Sequence, residues 1–98
     1  MSTASFDIEV PVDLVYLQGH FPGQPVLPGV VQVHWAIERG TETFGDLGQF
    51  KGIDALKFHR IIEPNTDLQL QLEFAHGVLR FSYTSEHGQH SQGRILFE

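Results

Sequence analysis

The chain has 98 residues and a mass of 11.0 kDa, which suits one compact domain over residues 1–98. Its 41% hydrophobic and 18% charged residues lie in the ordinary globular range and exclude a disordered or fibrous chain. Twelve acidic against six basic residues give a charge of −6, which argues against a nucleic-acid binder, and the lack of cysteine excludes disulfides, thiolate metal sites and Cys nucleophiles.

The first residues, MSTASFDIEVP, show no basic stretch followed by an apolar one and so do not read as a signal peptide. No apolar run reaches the roughly 18 to 20 residues that cross a bilayer, the run around Val30 being broken by Gln32 and His34. A cysteine-free chain with neither feature is expected in the cytoplasm. Phe6, Ile8 and Val10 alternate with polar residues and begin a first strand. Pro11, Pro22, Pro25 and Pro28 then fall in one stretch with Gly19, Gly23 and Gly29. Each proline fixes its own φ and biases the residue before it, so this is a structured loop, and Phe21, Val26 and Leu27 suit packing on the body.

Apolar residues at Val30, Val33, Ile37 and Phe44, with Val31 and Trp35 beside them, have helical spacing. The helix should run from about residue 29 to 39 or 44, with Pro28 at its start and Gly40 its weak point. Apolar groups on more than one face predict a helix buried by its own domain or by a partner. The remainder reads as strands: one around Ile53 to Phe58, then Leu68, Leu70, Leu72 and Phe74, then Leu79, Phe81 and Tyr83, then Gly93 to Phe97. Ala75, His76 and Gly77 suit a tight hairpin, and SEHGQ a second turn. The order predicts an α+β fold, an antiparallel sheet with one helix packed on it.

Six histidines are candidates for chemistry. His20 lies in the proline-rigid loop, and His34 lies on the helix stripe with Val30, Val33 and Ile37. Taken singly, each also reads as a histidine that packs and hydrogen-bonds. Taken together, an imidazole in a loop leading to a helix N-terminus at Gly29 suits proton removal beside a carbonyl that the helix amides polarise.

The string from Gly19 to Val31, GHFPGQPVLPGVV, resembles the signature loop of the 3-hydroxyacyl-acyl carrier protein dehydratases, which have the hot-dog fold. Residues Gly52 to Phe58 resemble the family's strand after the helix, and Pro64 falls where the family has a Pro-Gly-Asp turn, with Asn65 and Thr66 replacing its last two residues. Only 19 residues precede His20, so the family's N-terminal helical segment is expected to be missing. The resemblance implies a curved sheet around the helix and a homodimer or an assembly of dimers. It makes His20 the general acid/base and the Gly29 N–H the holder of the thioester carbonyl. The second catalytic group of the family is a Glu or Asp five residues after that glycine, supplied by the other subunit; here that position is His34.

An imidazole titrates near neutral pH and can act there as either acid or base. Two close imidazoles resist double protonation, which suits a neutral His20 taking the C2 proton and a charged His34 protonating the departing C3 hydroxyl. The implied reaction is dehydration of a 3-hydroxyacyl thioester on an acyl carrier protein to a trans-2-enoyl thioester, with no metal or redox cofactor. The His34 replacement points to a specialised member, such as those of polyketide-like or aryl-polyene pathways. A thioesterase on the same fold and a non-catalytic acyl-binding or scaffold subunit stay open as alternatives.

Lys57, His59 and Arg60 form the densest basic cluster. They read either as an exposed strand end or, with Lys57 and Arg60 foremost, as a dock for the acidic carrier protein. Glu86, His87 and His90 suit a solvated hairpin better than a metal site. Trp35 reads as core or subunit packing.

Overall fold

The computed structural model describes residues 2–11 and 26–98. It contains β1 (Ser2–Glu9), α1 (Gly29–Phe44), β2 (Phe50–Phe58), β3 (Asp67–Ala75), β4 (Val78–Ser85) and β5 (Gly88–Phe97). The strands form one antiparallel sheet in the order β1-β3-β4-β5-β2, which leaves β1 and β2 as its edges.

The alternating leucines of β3 place Leu68, Leu70 and Leu72 inside, while Gln69 and Gln71 face out. Leu79, Phe81 and Tyr83 of β4 and Ile95 and Phe97 of β5 extend this buried surface. Val31, Val33 and Ala36 of α1 pack on it, and Trp35 and Ile37 lie partly buried against it. Fully burying each such aliphatic or aromatic side chain stabilises the fold by about 1.5–3 kcal/mol. The other face of α1 is open: Val30 is 77% exposed and His34 and Glu38 follow it one and two turns on. Burial of the helix within its own domain is therefore one-sided.

Two local features differ from expectation for clear reasons. Gly40 does not interrupt α1, although a mid-helix glycine costs about 1 kcal/mol. A Cβ there would lie 3.0 Å from Leu79 Cδ2 and 3.3 Å from Leu47 Cδ1, so glycine lets the helix approach the sheet. Strand β5 begins at Gly88 and not at Gly93, because Ser85 pairs with Gly88 across a two-residue turn and continues the ladder through polar residues. The β3–β4 turn has positive φ at both His76 (52°) and Gly77 (75°), which is type I′ geometry.

Two bulges shape the end of the sheet near the start of α1. On β2, Asp54 pairs with Arg94 and Lys57 with Gln92, so three steps on β2 match two on β5; Ala55, with φ 52°, lies in this irregularity. On β5, Ser91 pairs with Tyr83 and Gln89 with Thr84, which leaves His90 without a partner on β4. Arg94 donates to both carboxylate oxygens of Asp54, at 2.6 and 2.7 Å, and holds β2 just before its bulge. That guanidinium bond also keeps the Asp54 carboxyl below its ordinary pKa.

Candidate active site

Pro28 has extended geometry (φ −62°, ψ 148°), so helical hydrogen bonding starts with the next residue. The Pro28 carbonyl accepts from the N–H groups of Val31 (3.1 Å) and Gln32 (3.2 Å). The helix itself therefore leaves the Gly29 and Val30 amides to partners outside it, at its positive end. Gly29 borders a cavity of about 560 Å³, lined also by Leu27, Phe58, Arg60 and Ile61. The walls are largely apolar and the size is that of a small-molecule pocket.

The β2 bulge explains why Phe58 reaches this cavity. Ile53 lies opposite buried Ile95 and so faces the helix side; in a regular strand Ala55 and Lys57 would follow it there. The extra residue reverses the alternation and turns Leu56 and Phe58 to the helix side of the sheet, where both stay partly exposed at its edge. Leu56 meets the space beside Gly93, and Phe58 meets Gly29, where a Cβ would lie 2.6 Å from Phe58 Cζ.

Beneath the start of the helix is a buried polar cluster. Gln32, 3% exposed, donates from Nε2 to the Leu27 carbonyl (3.1 Å) and accepts at Oε1 from Ser91 Oγ (2.6 Å). The Tyr83 hydroxyl donates to the Gln32 carbonyl at 2.6 Å, and burial pushes that phenol well above its ordinary pKa. Behind it, His90 makes contacts from Nε2 to Ser85 Oγ (2.6 Å) and from Nδ1 to the Ile61 carbonyl (3.0 Å), and its own carbonyl accepts from His59 and Arg60 N–H. A carbonyl can only accept, so Nδ1 carries the proton toward Ile61.

His34 stands on the open face of α1, 63% exposed at the side chain, with Nε2 3.7 Å from Glu38 Oε2. Five residues at 100° each put it about 140° around the helix from Gly29, so one chain does not aim this imidazole at its own Gly29 amide. His20 lies outside the described residues. Lys57, His59 and Arg60 are all exposed; Arg60 borders the Gly29 cavity, while Lys57 is not among its lining residues.

A family model described as ApeI dehydratase, of the ApeI-like family, matches residues 1–94. The chain belongs to the ApeI-like dehydratase family. Among solved structures, a chain of the dehydratase heterocomplex ApeI:P from Xenorhabdus doucetiae superposes with a TM-score of 0.89 at 29% identity, over 96% of this chain and 85% of that one. An uncharacterised protein from Erwinia carotovora subsp. atroseptica gives 0.87 at 33% identity, over 96% and 81%. The (R)-hydratase of A. caviae, at 12% identity and a TM-score of 0.65, shares the fold, over 96% and 91%. These likenesses place the one-helix, five-strand architecture in the hot-dog class, as the signature loop implies.

Curated relatives of this ApeI-like chain include 3-hydroxyacyl-[acyl-carrier-protein] dehydratases FabZ. The one from Acetivibrio thermocellus is 38% identical over 72 residues, 66% of this chain and 49% of the relative; the one from Bacillus licheniformis is 38% identical over 79 residues, 74% and 52%. The chain thus spans about half the length of the curated relatives it matches.

For the ApeI-like chain, sequence reasoning selected Gly29 and Arg60, which both border one cavity, and His34, which is exposed and does not line it. It missed Gln32, Tyr83 and Ser91. Gln32 was visible as a polar interruption of an apolar helix run, and its position beside Val31 and Val33 was the available signal. His90 corrects the expected solvated hairpin: His87 and Glu86 are exposed, but His90 is 2% exposed because the bulge turns it inward.

Proposed function

We propose that the chain removes water from a 3-hydroxyacyl thioester carried on an acyl carrier protein and yields a trans-2-enoyl thioester. The observation that carries this reading is the HFPGQPVLPGV string running straight into a helix whose first residue, Gly29, borders an apolar cavity. In the proposed reaction the Gly29 N–H holds the thioester carbonyl oxygen, where negative charge develops as C2 loses its proton. Neutral His20 takes that proton. Protonated His34 of the partner subunit donates to the C3 hydroxyl, which leaves as water while the C2–C3 double bond forms. His20 ends protonated and His34 neutral, and exchange with solvent restores both.

The chain is proposed to act as a single hot-dog domain in a homodimer. Support comes from β2, an edge strand with Phe50, Leu56 and Phe58 exposed, and from Val30 and Ile61 exposed nearby. Such an apolar edge invites pairing with a second sheet, and the outward His34 needs a second copy to meet a Gly29 amide. Arg60 at the cavity and Lys57 on β2 are proposed to receive the acidic carrier protein. A cytoplasmic setting is proposed, in keeping with the cysteine-free composition. Fatty-acid or aryl-polyene biosynthesis is the proposed context, with His34 in place of a carboxylate favouring a specialised role.

A second reading is a non-catalytic subunit that works beside an active partner, favoured by the heterocomplex in which the Xenorhabdus doucetiae relative occurs. Incubation of the purified chain with a 3-hydroxyacyl carrier protein separates the readings. Enoyl product supports dehydration, free acid shows a thioesterase, and unchanged substrate shows a scaffold.

A further inference from the structure

We infer that Gln32 is a positioning residue for the Gly29 amide, an inference that rests on the dehydratase reading above. Its side chain has hydrogen-bond partners that fix its orientation. The Leu27 carbonyl can only accept, so Nε2 must face it, and Oε1 is left to accept from the Ser91 hydroxyl. Leu27 is thereby held on both sides, its N–H donating to the Ile62 carbonyl at 2.8 Å and its C=O accepting from Gln32 at 3.1 Å. Only Pro28 separates Leu27 from Gly29, and its ring fixes φ, here −62°. The Pro28 carbonyl, bonded to Val31 and Gln32 N–H, sets the Gly29 N–H relative to the helix, and Gln32, by holding the Leu27 carbonyl, sets where that helix start lies against the sheet.

Tyr83 completes the clamp by donating to the Gln32 carbonyl, which ties the helix backbone to β4 while Ser91 ties the side chain to β5. Gln32 also borders the cavity that Gly29 faces, so its placement registers the helix start against the cavity wall. A packing residue of the same volume would fill this space. It would leave the Leu27 carbonyl and the Ser91 hydroxyl without their partner, and the helix start that carries the Gly29 amide would lose this tie to the sheet.

The test compares Gln32→Met, Gln32→Glu and Ser91→Ala with the wild-type chain, using a 3-hydroxyacyl carrier protein substrate and [15N]glycine-labelled protein. Gln32→Met should lower kcat by ~100-fold, the scale of a misplaced reacting group, with KM within about twofold. Ser91→Ala, which removes one bond and keeps the other, should lower kcat by about tenfold. Gln32→Glu should be as slow as Gln32→Met at alkaline pH, where the carboxyl is ionised and faces the Leu27 carbonyl. It should recover relative to wild type as pH falls, because a protonated carboxyl donates to Leu27 and still accepts from Ser91. The Gly29 amide signal should move in Gln32→Met and return in acidified Gln32→Glu. A Gln32→Met enzyme with near wild-type kcat and an unmoved Gly29 signal would overturn the inference, as would a Gln32→Glu enzyme with no acid recovery in either measurement. If the wild-type chain forms no enoyl product, the dehydratase reading fails, and the Gly29 signal still decides whether Gln32 places that amide.

Discussion

Gly29 lies so close to Phe58 that a Cβ on the glycine would fall 2.6 Å from the ring's Cζ and 3.0 Å from Cε1. Its helical position asks for no unusual φ, so the glycine is there for room. The approach exists because the bulge around Ala55 turns Phe58 to the helix side of the sheet, against the start of α1. Gly29→Ala should therefore push the ring or the helix start aside and slow enoyl formation by up to ~100-fold. Adding Phe58→Leu removes the clash and should recover much of that loss. The measurement is kcat/KM for the two single variants and the double, and the cycle should be strongly non-additive, as for residues in direct contact.

His34 should matter to turnover and hardly to stability. Its side chain is 63% exposed and its contact with Glu38 is a surface ion pair, worth at most about 1 kcal/mol. His34→Ala should leave thermal unfolding nearly unchanged and slow dehydration by roughly 10²–10⁴-fold, the range for a lost general acid. His34→Glu should retain part of the rate by supplying another proton carrier. Equal rates for all three would show that His34 is a bystander.

The leucines of β3 and the helix from Gly29 to Phe44 were legible because burial on one face writes its period directly into the chain. The Ala55 bulge was not read, although the apolar positions shift from Ile53 to Leu56 and Phe58, which reverses the alternation. Nor was the Gln32 cluster, since Ser91 and Tyr83 lie 59 and 51 residues away and meet Gln32 only once the sheet has formed. Gly29 and Arg60 were singled out from a local string and a local charge cluster, and both border one cavity. The outward direction of His34 depends on how α1 is seated, which spacing alone leaves open.

Tyr83 supplies a pH prediction. Its ordinary pKa is 10.0, and burial raises it in the folded state. The unfolded chain thus ionises first as pH rises, so the stabilising effect of the neutral phenol is complete below about pH 10 and is lost progressively above it. Tyr83→Phe removes the bond to the Gln32 carbonyl and should cost about 1 kcal/mol near neutral pH. Denaturant unfolding above pH 10 should show a smaller fall in stability for the variant than for wild type.

The exposed β2 edge predicts the assembly. Phe50→Lys combined with Leu56→Lys places two charges on an edge strand that now carries apolar side chains. Sedimentation should show a dimer for wild type and a monomer for the double variant, and dehydration should be lost with the dimer. A double variant that sediments as a monomer with full activity would show that each chain holds a complete site.

In the proposed dimer one subunit's His20 and the other's His34 act on one substrate, and this can be tested by mixing two disabled variants. His20→Ala and His34→Ala dimers, each inactive alone, are unfolded, mixed in equal amounts and refolded, and dehydration of a 3-hydroxyacyl carrier protein is followed. In a two-fold dimer, half of the random pairs then carry one intact site, so activity should return to roughly a quarter of wild type. Mixed dimers that form and stay inactive, or a His20→Ala dimer that is fully active by itself, would contradict the account.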